Sequence, residues 1–110
     1  MDSSSPMIKQ YFSAFTTNDH LEKLLGAVYT VYSNSKDPAD LTYALKWAKR
    51  ALDIQQNAST SEFYSKVLYA LKRKQEAISF LQKAVNKTLD KNEKDKLNEL
   101  LTKMKENKLV

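Results

Sequence analysis

The chain has no cysteine, a single histidine, a single glycine and two prolines among its 110 residues. Without cysteine it can form neither a disulfide framework nor a thiolate zinc site, and cysteine usage says nothing of the redox compartment. With His20 the only histidine and Gly26 the only glycine, there is no Ser/His/Asp or Cys/His nucleophile set, no phosphate-cradling loop and no metal cluster. No catalytic, cofactor-binding or metal site is expected, and no enzymatic activity. Glu93 and Asp95 sit in a charged stretch and read as a solvated face rather than an acid/base pair. One glycine and two prolines also leave few of the tight turns that sheets need, which points to helices.

Long apolar runs are missing too. Nothing approaches the roughly 20 residues needed to span a bilayer, so no membrane insertion is expected. Met1-Asp2-Ser3-Ser4-Ser5-Pro6 lacks the basic and apolar regions of a secretory signal and reads as a junction, so the chain is expected to be a domain of a larger protein. Eighteen Lys and Arg against 13 Asp and Glu give a net charge of +5. Residues 1–35 carry two basic against three acidic side chains, whereas residues 36–74 carry eight against four. That excess permits acidic partners but is modest beside the basic faces of dedicated nucleic-acid binders.

What is present is helical periodicity. Apolar residues recur at three- and four-residue steps in six segments. These are Ile8 to Phe15, Leu21 to Tyr32, Leu41 to Leu52, Tyr64 to Leu71, Ala77 to Val85 and Leu97 to Met104. Helix starts are marked separately. Asp37 before Pro38 places a cap ahead of a proline whose missing N–H costs nothing at the first helical position. Asp19 with Glu22, Ser59 with Glu62 and Asp90 with Glu93 have capping-box spacing, and Ser5 before Pro6 suggests a further start. The break between the fourth and fifth helices is marked only by Lys72-Arg73-Lys74. Tyr43 and Trp47 fall one step off the apolar stripe of the third helix and are expected to wedge between helical hairpins.

Ala44-Leu45-Lys46-Trp47-Ala48-Lys49-Arg50-Ala51-Leu52 repeats as Ala77-Ile78-Ser79-Phe80-Leu81-Gln82-Lys83-Ala84-Val85, 33 residues later. Small residues at both ends of a seven-residue step let helices approach closely, with a bulky residue filling the gap between them. This unit resembles the tetratricopeptide repeat. Ala77, Leu81 and Ala84 match the small, large and small places of that family's second helix, as Ala44, Ala48 and Ala51 do in the preceding repeat. Leu25-Gly26 with Tyr29 matches the Leu-Gly pair and following aromatic of its first helix. Lys72 stands where a glycine is usual between helices, and about six extra residues lie around Ser33 to Pro38.

The resemblance implies one all-α domain over 1–110, built of antiparallel hairpins stacked as a short superhelix of about six helices. Two repeats, 19–56 and 59–88, would lie between an N-terminal helix 6–15 and a C-terminal capping helix 90–107. It also implies a protein-interaction module or scaffold whose first helices line a peptide groove. Carried over, the groove positions are His20, Lys23, Ala27, Thr30, Ser59, Glu62, Lys66 and Tyr69. Of these, Lys23, Lys66 and Tyr69 are the candidate peptide-binding residues. Ala27 and Phe63 stand where the chaperone-tail carboxylate clamp requires asparagine, so acidic C-terminal tails are not the expected ligand. The partner would be a protein, a peptide or another domain of the parent chain.

Two alternatives remain at this level. The Lys72 to Lys74 corner, with Lys46, Lys49 and Arg50, would suit nucleic acid or another acidic polymer. Ala44 to Leu52, Leu68 to Lys72 and Glu76-Ala77 are also similar to the helical tails that follow thioredoxin-like domains in some Bacteroidetes proteins. That likeness implies a periplasmic accessory domain of a redox protein, whereas the residues as they stand are compatible with the cytoplasm.

Overall fold

A computed structural model describes residues 21–108. They form five helices: α1 (Leu21–Asn34), α2 (Pro38–Ile54), α3 (Ala58–Ala70), α4 (Lys74–Lys87) and α5 (Lys91–Lys105). The described part is all-helical, with no strand. The helix expected over 6–15 and the Asp19 cap lie outside the described residues.

Loops of three residues join the helices, too short for anything but antiparallel neighbours. Each helix packs on the next, and α1, α3 and α5 also touch in that order. The odd helices therefore make one layer and α2 with α4 the other, with α3 central and in contact with all four. The alanine spacing explains how the layers come so close. Ala44, Ala48 and Ala51 on α2 and Ala77 on α4 are fully buried, and Ala84 nearly so. A backbone carrying only methyl groups on its inner face lets the facing helix settle into the groove between ridges.

Trp47 is buried with Ala44, Ala48, Ala51, Leu24, Val28, Val31 and Val67 in a core shared by α1, α2 and α3. The expected wedge is thus present, with Tyr43 half-buried beside it. A second core joins Leu68, Leu81 and Val85 to Leu97, Leu100, Leu101 and Met104 of α5. Leu45 and Tyr64 pack against both clusters and make them continuous. The polar side chains in the interior of α3 are small, and among the described residues none is buried without a partner. Ser65 Oγ donates to the Glu62 carbonyl and Thr60 Oγ1 to the Gln55 carbonyl, both at 2.9 Å.

The caps correct one expectation. Asp37 accepts from the Ala39 N–H at 2.9 Å and Asp90 from the Glu93 N–H at 2.9 Å, so both residues cap where expected, the second through this one bond of its box. α3, however, is capped by Asn57 and not by Ser59. Asn57 Oδ1 accepts from the Thr60 N–H at 3.0 Å while the Asn57 N–H donates to Thr60 Oγ1 at 2.9 Å, a reciprocal box two residues earlier. Glu62 is thereby freed to pair with Lys66. The extra residues after Ser33 lengthen α1 to Asn34 and form a corner in which Ser35 Oγ donates to Asp40 Oδ2 at 2.7 Å.

Where a glycine is usual, Lys72 adopts the left-handed conformation, φ 64°. Its N–H bonds the Tyr69 carbonyl and the Arg73 N–H bonds the Leu68 carbonyl, the paired closure of a Schellman turn. Asn107, φ 60°, ends α5 in the same way. Lys74 Nζ donates to Asn107 Oδ1 at 2.6 Å, so the two left-handed corners are tied together. A side chain with a Cβ resists this region whereas glycine enters it freely. Lys72→Gly should therefore stabilise the fold by about 0.5–1 kcal/mol. A urea melt checks this; a lowered midpoint at unchanged slope would contradict it.

On α5, Lys91, Lys94, Asn98, Thr102 and Lys105 follow one another at helical spacing, and all are exposed. They form a polar stripe that flanks the apolar face of the last helix, about 110° around from it, while Asp95 and Glu99 stand opposite that face.

Candidate functional site

Around α3 the steps of about 100° per residue divide the helix cleanly. Leu68 is buried and Tyr64 half-buried toward the core, while Glu62, Lys66 and Tyr69 point to the opposite side. On most helices that side is fully solvated. Here the side chains of Lys66 and Glu62 are 24% and 35% exposed, and Lys66 Nζ lies 2.9 Å from Glu62 Oε2. The neighbouring helices of the odd layer supply the shelter.

From the α1 side, the Tyr29 ring meets Phe63 edge-on, with centroids 6.3 Å apart and planes at 82°. Tyr32, one turn on, lies within electrostatic reach of both Tyr69 and Glu62. Burial first, and then those two groups, hold its phenol above the ordinary tyrosine value. From the α5 side, the Tyr69 hydroxyl donates to the Lys108 carbonyl at 3.0 Å. One surface therefore runs from Tyr29 and Tyr32 across Phe63 and the Glu62–Lys66 pair to Tyr69 and the end of α5. Tyr29 is 59% exposed despite its size, the most open aromatic ring on this surface.

The structure brings Lys66 and Tyr69 together on this surface and sets Lys23 apart. Lys23 is exposed on α1, but six residues from Tyr29 it points about 120° around the helix from the ring that meets α3. Among the other carried-over positions, Ser59 is exposed, and the half-buried Thr30 donates its hydroxyl to the Gly26 carbonyl at 2.8 Å. Ala27 is a correction. It is fully buried in the α1–α2 core and can line no groove, because the apolar stripe of α1 runs through Leu24, Ala27, Val28 and Val31. His20 lies outside the described residues. Gly26 is exposed, with no neighbouring atom within 4 Å of where a Cβ would stand. Sequence reasoning missed Tyr32, which was counted on the apolar stripe of its helix, and it noted Phe63 only as standing where a carboxylate clamp would need asparagine.

The basic corner is occupied by bonds within the chain. Arg73 donates to both oxygens of Glu76, at 2.9 and 2.6 Å, and this contact holds the Glu76 carboxyl below its ordinary value. Lys74 is bound to Asn107, Lys49 pairs with Asp53 at 3.1 Å, and the Lys46 ammonium stands 5.3 Å from the centre of the Tyr43 ring. Among the described residues no group of three His, Cys, Asp or Glu side chains is placed to hold a metal, and no helix is long and apolar enough to cross a membrane.

Compared with protein-family models, with curated proteins and with solved structures, the chain matches none.

Proposed function

We propose that this chain is a protein-interaction module, of tetratricopeptide-like construction, that holds an extended segment of a partner against the face of α1 and α3. The observation that carries this reading is Tyr29. A large ring left mostly in water, edge-on to a second aromatic and beside a sheltered ion pair, is poorly explained by stability. Tyrosine offers wide contact area at little entropic cost and a hydroxyl for a partner's backbone, which is why it concentrates at binding surfaces.

The charged residues fit the same role. Lys66 is held in one orientation by Glu62, so it presents its remaining donors without first being ordered. Tyr69, whose hydroxyl donates to the Lys108 carbonyl, keeps a phenolic oxygen that accepts. Lys23 would meet a longer partner that wraps over α1. Because α1 and α3 each carry one acidic and one basic residue, affinity should come mainly from apolar and hydrogen-bonding contact.

The test is selection of peptides from a displayed random library against the 110-residue chain, followed by titration of the best binder against variants. Tyr29→Ala and Lys66→Ala should each weaken binding about tenfold or more while leaving the melting temperature nearly unchanged. Lys49→Ala, on α2, should bind as the parent does. Binders indifferent to both Tyr29 and Lys66 would sink this reading. Loss of binding between 50 and 500 mM salt for nucleic acid alone, with no peptide selected, would favour the basic corner instead.

A further inference from the structure

At the end of the molecule where α2 and α4 terminate, Leu89 is 98% exposed. It occupies the position just before the Asp90 cap of α5. An apolar residue there ordinarily packs on the fourth residue of the helix to form a hydrophobic staple. That fourth residue is Lys94, which is exposed, and Leu89 does not pack on its methylenes. Leu89 is thus an apolar side chain whose usual partner within the chain is missing.

Beside it opens a cleft of about 420 Å³ between the α2–α3 and α4–α5 corners. Ala58 and Ala84 contribute methyl groups to its walls, and Leu89 itself stands on the rim. Lys87 lies on the chain just before Leu89 and Asp90 and Glu93 just after it, all three lining the same cleft. Knob, hole, positive charge and negative charge are therefore adjacent on one patch. A two-fold axis beside the rim would bring Leu89 of each copy to the cleft of the other, and Lys87 of each opposite Asp90 and Glu93 of the other. A patch that carries both a protruding apolar side chain and charges of both signs can meet its own copy across a two-fold axis with opposite charges facing.

We infer that this patch joins two copies of the chain head to head, with Leu89 as the knob. The arrangement does not depend on the α1–α3 face, which it leaves open on both copies. The patch is small, so the dimer should be weak, at the low-area end of specific interfaces.

Sedimentation equilibrium across a range of chain concentrations tests it. The mass should rise from 12.6 kDa toward twice that value as concentration increases. Leu89→Asp should weaken the association at least tenfold with an unchanged circular dichroism spectrum, since an exposed side chain supports no fold. Lys87→Glu should also weaken it, and adding Glu93→Lys in the same chain should restore it, because the exchange rebuilds complementarity across the axis. A mass fixed at 12.6 kDa up to about 2 mM, a concentration at which contacts of ~1 mM affinity are mostly formed, would overturn the inference. So would a dimer indifferent to Leu89→Asp, or a double charge exchange that restores nothing.

Discussion

Removal of residues 90–110 should abolish cooperative unfolding. This deletes α5 and with it Leu97, Leu100, Leu101 and Met104, all buried against α3 and α4. Burying one such side chain stabilises by about 1.5–3 kcal/mol. Four of them, even discounted for a compact unfolded state, are worth about as much as the 5–15 kcal/mol that holds a whole domain together. Leu81 and Val85 would meanwhile be bared to water on α4. The truncated chain should show a shallow, non-cooperative thermal melt by circular dichroism, and soluble aggregates. A melting temperature within about 3 °C of the parent would show instead that the first four helices form a self-sufficient core.

The second large effect is a contrast between two leucines eight residues apart. Leu81→Ala should cost about 2–5 kcal/mol, because the side chain is completely buried in the middle of α4 and its loss leaves a cavity between α3, α4 and α5. Leu89→Ala should change stability by less than about 0.5 kcal/mol at low chain concentration, since an almost fully exposed side chain gives up nothing on truncation. Denaturant midpoints of the two variants decide it. Equal losses would mean that Leu89 packs in solution where the structure leaves it open.

The sequence made one of these leucines readable and the other only half so. Leu81 occupies the bulky place between Ala77 and Ala84, and period and repeat alike commit it to the core. Leu89 lies outside every periodic segment. Its exposure follows from Lys94 at the staple position, a signal present in the residues but used only with the helix start fixed at Asp90. The cap of α3 shows how a familiar spacing misleads. Ser59 with Glu62 fits the usual template, yet Asn57 with Thr60 closes both bonds two residues earlier and leaves Glu62 for Lys66.

Lys72 shows a different limit. Nothing in lysine favours a left-handed backbone, and the corner adopts it because two carbonyls of α3 need donors and α4 must start at once. For the candidate site, Glu62, Lys66 and Tyr69 were reached through the family resemblance, and their spacing along one side of α3 agrees with it. The aromatic flank from α1 was not reached, because whether Tyr29, Tyr32 and Phe63 face inward or sideways depends on how α1 crosses α3. Ala27 was misplaced for the same reason, its register having been borrowed from a family pattern and not from the apolar stripe of its own helix.

The stripe of Lys91, Lys94, Asn98, Thr102 and Lys105 bears on what these molecules do to one another in a crowded solution. A stack of helical hairpins has no intrinsic reason to stop, since each added pair buries the exposed flank of the one before. Written in leucine and alanine, the outer side of α5 would accept the first hairpin of another molecule, and that contact, lacking a closing rotation, would propagate into filaments. Three ammonium groups on that flank make each further addition bury unpaired charge. A flank of this kind disfavours the docking of a further hairpin there, and so works against open-ended growth from that side of α5.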